Sequence, residues 1–145
     1  MTDVLVLNGP NLGRLGSREP DVYGVLDHAG LTAAIGQWAD ALGLTAEVRQ
    51  SDDEAELVHW LHEAVDARRD VVLNPAAFTH YSYALRDAAA QVTTSGLRLI
   101  EVHLTNPATR ERFRHNSVIG GVATGTVAGF GTDSYRLALA ALVEA

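Results

Sequence analysis

VLVLNGPN, residues 4–11, joins four consecutive aliphatic side chains to a polar turn. A strand with one wet face alternates apolar and polar residues, whereas a continuous apolar run is covered on both faces. Val4–Leu7 is therefore expected to be a buried strand of a parallel sheet that stops in the Asn8-Gly9-Pro10-Asn11 turn. Polar sequence rich in Gly and Pro continues to Gly24 (NGPNLGRLGSREPDVYG, 8–24). Loops of that length inside compact chains are usually functional, often as lids.

Downstream, the apolar pattern alternates between two periods. Leu26–Leu42 has helical spacing, with Leu31, Ile35, Trp38 and Leu42 on one stripe and Gly43 as its stop. Thr45–Arg49 reads as a short strand. Ser51-x-x-Glu54 reads as a capping box opening a second helix. Val71–Leu73 is a third strand ending at Asn74-Pro75, and Ser82–Val92 a third helix. Leu97–Val102 is a fourth strand ending at His103, Ala108–His115 a short helix, Thr124–Ala128 a fifth strand and Asp133–Glu144 a last helix. Five strand–helix alternations with short turns specify a doubly wound α/β domain, a parallel sheet with helices on both faces. In such a fold the active site lies past the carboxyl ends of the strands.

Composition narrows the chemistry. The chain has 145 residues, of which 47% are apolar and 20% charged, the content of one folded domain spanning 1–145. It has no cysteine and no lysine, so all 11 basic residues are arginine. Thiolate nucleophiles, Cys-ligated metals, a lysine Schiff base and a P-loop lysine are thereby excluded. A net charge of −7 argues against non-specific binding to nucleic acid or to an anionic membrane. Met1-Thr2-Asp3 carries no basic region and no run approaches a bilayer span, so a cytoplasmic location is expected.

The strand ends carry Asn8, Asn11, Asn74, His80, His103, Thr105 and Asn106, and the long loop adds Arg14, Arg18, Glu19 and Tyr23. Arg110 and Arg114 are four apart and would share one helix face. Together these residues suit an anionic, hydroxyl-rich small molecule and proton transfer. Tyr23 can serve as a base where a cation such as Arg18 lowers its pKa. The first turn lacks the dinucleotide fingerprint, His59 and His62 read as surface residues, and His28 reads as a solvated helix start. Neither a metal nor a nucleotide cofactor is expected.

Six stretches carry a family resemblance: LNGPNLGRLGSREPDVYG (7–24), QSDDEAELVHWLHEA (50–64), LNPAAFTHYSYALRDA (73–88), IEVHLTN (100–106), RERFRH (110–115) and ATGTVAGFG (123–131). Over essentially its whole length the chain resembles the type II 3-dehydroquinate dehydratases. The resemblance implies a flavodoxin-like, three-layer αβα fold with a five-stranded sheet. It implies a homo-dodecamer built as a tetramer of trimers, and reversible anti loss of water from 3-dehydroquinate to 3-dehydroshikimate through an enolate. No cofactor is implied.

On this resemblance Tyr23 is the general base, Arg18 the lid arginine that holds it near phenolate, and His103 the general acid. Glu101 orients His103, and Asn11 holds the water facing the enolate oxygen. Asn74, His80, Thr105 and Arg114 match substrate-binding positions, and the Leu104 and Thr105 amides would grip the carboxylate. Arg110 supports the closed lid together with Glu19, and Asp87 reaches a neighbouring subunit's site.

Some positions depart from the family pattern. Ala76 stands for a common glycine, Phe78 for a tyrosine, Tyr81 for a threonine, Val118 for a frequent aromatic and Ser134 for a glycine. Two other readings of the same residues are a lyase on a related cyclic hydroxy-acid, to which Tyr81 points, and a non-catalytic flavodoxin-like binding or regulatory homologue.

Overall fold

Val4 and Val6 turn to one side of the sheet and Leu5 and Leu7 to the other, all of them fully buried. That alternation is why the VLVL run is uninterrupted: each successive side chain meets a different apolar layer. The computed structural model describes residues 2–17, 21 and 26–143.

The described residues form five parallel strands: β1 (Asp3–Asn8), β2 (Thr45–Gln50), β3 (Asp70–Asn74), β4 (Leu99–His103) and β5 (Gly125–Ala128), in the order β2-β1-β3-β4-β5. Among the described residues the longer helices are α1 (His28–Leu42), α2 (Glu54–Ala67), α3 (Tyr83–Thr94) and α4 (Asp133–Ala141). Leu31 and Ile35 of α1 and Leu139 of α4 close one layer with Val4, Val6, Val72 and Val102. Leu57 and Leu61 of α2 and Leu85 and Val92 of α3 close the other with Leu5, Leu7, Val71 and Leu99. The result is the flavodoxin-like αβα sandwich. Its strand order reverses between β1 and β3, which opens a crevice at their carboxyl ends. Gly9 seats the two strand ends together: a Cβ there would meet the Pro75 carbonyl oxygen at 2.8 Å. Among the described residues no helix is long and apolar enough to cross a membrane.

Local chemistry moved several boundaries. Ser51 does not cap α2; its hydroxyl accepts from the Asp53 N–H at 2.9 Å, and Asp53 is the cap, accepting from Ala55 N–H. The helix therefore starts at Glu54, and the Ser-x-x-Glu spacing is not a capping box. Helix α1 begins at His28 rather than Leu26 because Asp27 caps it through the Gly30 N–H. Gly43 ends it with φ 73°, as expected. The expected helix over Ala108–His115 is instead two 3-10 turns, Pro107–Thr109 and Arg112–His115. Strand β4 starts at Leu99, two residues later than expected, and α4 ends at Ala141. Glu144 lies outside the described residues.

Candidate active site

At the β1/β3 switch point lies an open, part-polar cleft, the place where this kind of sheet binds small molecules. Asn11 and Asn74 line it from the ends of β1 and β3, and His103, Leu104 and Thr105 from the end of β4. His80, Arg110 and Arg114 complete the wall. Eight of the residues expected at the site are thus brought together.

The strongest electrostatic feature is a carboxylate. Glu101, 1% exposed on β4, lies 2.6 Å from His103 Nε2. It also accepts from the Ser117 hydroxyl at 3.0 and 3.1 Å, and from the Thr79 hydroxyl. Burial alone would push its carboxyl up. The bonds from His103, Thr79 and Ser117 outweigh that and hold it below the usual value, so it stays ionised. An ionised Glu101 can only accept, which makes Nε2 of His103 a donor and leaves Nδ1 as the ring nitrogen for a ligand.

His80 has the opposite character. Its Nδ1 donates to the Asn116 carbonyl at 2.8 Å. Burial, with the nearby positive charge of Arg114, lowers its pKa despite that bond. It therefore stands as a neutral imidazole offering Nε2 as an acceptor for a ligand hydroxyl. Arg110 donates to the Thr105 hydroxyl at 3.2 Å, and Arg114 pairs with Glu111 at 2.9 Å. The two arginines do not share a helix face, since Arg110 lies between the two 3-10 turns. They converge because Glu111 is held between them, its carboxyl lowered by Arg114 and Arg110. Asn11 adopts φ 70°, fixed by its N–H donating to Asp52 Oδ1 at 2.9 Å, and its side chain is exposed at the cleft.

Other expected residues are placed elsewhere. Asn8 is wholly buried under the cleft rather than lining it. His28 is not solvated but half-buried, 3.1 Å from Asn8. Asn106 is exposed and caps the Pro107 turn through Ala108 N–H. Arg14 lies outside the cleft lining. Asp87 sits on α3, exposed beside Arg86. His59 and His62 are exposed on α2, as expected. Arg18, Glu19 and Tyr23 lie outside the described residues. Thr79, Ser117 and Asp52, which hold the functional groups, were not anticipated. They act across 22, 16 and 41 residues, a range over which spacing carries no information.

The departures from the family pattern also have places. Tyr81 is 59% exposed, stacked edge-on against Phe78 and outside the cleft lining, so it does not reshape the pocket. Ser134 is buried with its hydroxyl accepting from Phe130 N–H, and Val118 packs against the α2/α3 layer. Ala76 is strained: φ 51° lies in the left-handed region that glycine occupies freely. Ala76→Gly should raise stability by about 0.5–1 kcal/mol, after the loss of one half-buried methyl. Denaturant unfolding checks this, with a higher midpoint at an unchanged slope; an unchanged or lower midpoint contradicts it.

A buried carboxylate orienting a histidine, beside arginines and amides at the switch point of a flavodoxin-like sheet, defines an α/β enzyme of acid–base chemistry on a small anionic molecule. The family model for dehydroquinase class II matches residues 2–143. A 3-dehydroquinate dehydratase of Salinispora tropica is 55% identical over 136 residues, covering 94% of this chain and 93% of that protein. One from Halalkalibacterium halodurans is 47% identical over 144 residues, covering 99% and 97%. The crystal structure of type II dehydroquinase from Propionibacterium acnes superposes with a TM-score of 0.95 at 49% identity, covering 99% of this chain and 97% of that one. The chain belongs to the class II dehydroquinase family.

Proposed function

We infer that this chain catalyses the reversible dehydration of 3-dehydroquinate to 3-dehydroshikimate through an enolate, without a Schiff base. The observation that carries the reading is the Glu101–His103 pair opening into an arginine- and amide-lined cleft in a chain of this family. The C2 proton beside the ketone is acidic only where the growing enolate charge is stabilised. Tyr23 is the base that removes it, kept near phenolate by Arg18, with Arg110 and Glu19 supporting the closed lid. Asn11 holds the water that faces the enolate oxygen. His103, as an imidazolium whose Nε2–H is held by Glu101, then gives its Nδ1 proton to the C1 hydroxyl and is left neutral, while the hydroxyl leaves as water on the side of the ring opposite the base. Asn74, His80 and Arg114 bind the substrate, and the Leu104 and Thr105 amides take its carboxylate.

We further propose that the chain works in the cytoplasm as a homo-dodecamer in which Asp87 reaches a neighbouring site. The exposure of Asp87 outside its own cleft supports this, and light scattering tests the assembly.

Purified protein mixed with 3-dehydroquinate should produce conjugated-enone absorbance in the ultraviolet without any added cofactor. No rise in absorbance would sink the reading. Borohydride in the presence of substrate should trap no covalent adduct, since no lysine is available to form an imine.

A further inference from the structure

Beneath the cleft lies a buried polar chain of which only Asn74 has a part in the steps above. It runs from Asn74 through Tyr135 and Asn8 to His28. Tyr135 and Asn8 are 0% exposed and Asn74 is 3% exposed. Tyr135 enters from the first turn of α4, and its hydroxyl lies 2.9 Å from Asn74 Nδ2 and 2.6 Å from Asn8 Oδ1. Asn8 Nδ2 lies 3.1 Å from His28 Nε2.

One backbone N–H sets the direction of every bond in it. The Ala76 N–H can only donate, and it lies 3.1 Å from Asn74 Oδ1. Asn74 must therefore turn its NH2 toward Tyr135, and an NH2 can only donate. The phenol oxygen accepts that bond and sends its own proton to Asn8 Oδ1. Asn8 then presents its NH2 to His28, whose Nε2 must accept. Burial favours each of these states: it lowers the His28 pKa, against Asp27, and raises that of the Tyr135 phenol, keeping both groups neutral.

We propose that Tyr135 is a positioning residue: it holds the Asn74 NH2 while the Ala76 N–H holds the Asn74 oxygen, and the two together pin the amide in the orientation that meets the bound substrate. Asn8 acts one step further back, because it takes the phenol proton that would otherwise be free to turn toward Asn74. The proposal rests on the reading of Asn74 as a substrate-binding amide. A tyrosine that merely satisfied buried polar groups would contribute to stability and leave substrate affinity alone.

Steady-state kinetics with 3-dehydroquinate separate the two roles. Tyr135→Phe keeps the ring in the core and removes both hydrogen bonds. Its KM should rise about tenfold while kcat stays within about twofold, since the amide contact serves ground state and transition state alike. Asn8→Ala leaves the phenol in place and should raise KM in the same direction; it carries the test should Tyr135→Phe not fold. In the double variant with Asn74→Ala, Tyr135→Phe should add nothing further to KM. A parental KM in Tyr135→Phe and Asn8→Ala, with KM raised in Asn74→Ala, would overturn this inference alone. So would a full extra loss in the double variant. A parental KM in Asn74→Ala would overturn the role of Asn74 and this inference together.

Discussion

Replacing His103 with alanine should lower kcat by about 10²–10⁴ with little change in KM. Hydroxide is a poor leaving group, and the variant has no Nδ1 proton to convert the C1 hydroxyl into water. Tyr23→Phe should cost a similar factor, because phenylalanine cannot accept the C2 proton. Ultraviolet enone formation measures both, and isotope exchange tells them apart. In D2O the His103→Ala enzyme should still make and reprotonate the enolate, so substrate recovered before turnover should carry deuterium at C2. Tyr23→Phe should leave C2 protium in place. A His103→Ala enzyme within tenfold of the parent would remove His103 as the acid. Deuterium exchange in Tyr23→Phe at the parental rate would remove Tyr23 as the base.

Glu101→Gln should damage both stability and turnover. The carboxylate accepts from the His103 ring, the Thr79 hydroxyl and the Ser117 hydroxyl, at a position 1% exposed. A glutamine supplies one acceptor oxygen and one NH2; with the oxygen serving His103 and Thr79, the NH2 would face the Ser117 hydroxyl, whose oxygen already accepts from the Ile119 and Gly120 N–H groups. Leaving such groups unmatched in the interior costs about 2–4 kcal/mol. Losing the acceptor that fixes the His103 tautomer should lower kcat by about a hundredfold or more.

The pH dependence has a definite sign. The folded carboxyl lies below its ordinary value of 4.5, so its stabilisation is fully present above that value. It is lost as pH falls through the lowered one. The stability gap between parent and Glu101→Gln should therefore be widest near neutrality and narrow on strong acidification. Denaturant titrations at about pH 7 and about pH 3 check this. A gap that widened in acid would mean that Glu101 is not an ionised acceptor.

The parts of this molecule written in local sequence were legible. Val4–Leu7 specified a strand covered on both faces, and the strand–helix alternation specified the layers. The strand-end polar residues His103, Asn74 and Asn11 were correctly drawn to one cleft, because a parallel sheet brings all its carboxyl ends to one edge. What failed was anything settled by a competing partner. Ser51 had the spacing of a cap, but Asp53 stood closer to the free N–H groups. Arg110 and Arg114 had helical spacing in a segment that Pro107 and the Asn106 cap turned into 3-10 structure. Asn8 sat at a strand end like Asn11, but as the last residue of β1 its side chain is taken up in the interior by Tyr135 and His28. Nothing in the sequence around Tyr135 announces its bonds to residues 61 and 127 positions away.

The sheet separates the two apolar layers, and the functional groups are rooted in different ones. Glu101 follows Leu99 on the α2/α3 side, while Asn74 follows Val72 toward α4 and Tyr135. Proton delivery and the Asn74 part of the substrate grip therefore have separate foundations. A repacking of Leu85 or Ile119 should be felt in turnover, and one of Leu139 or Ile35 in affinity.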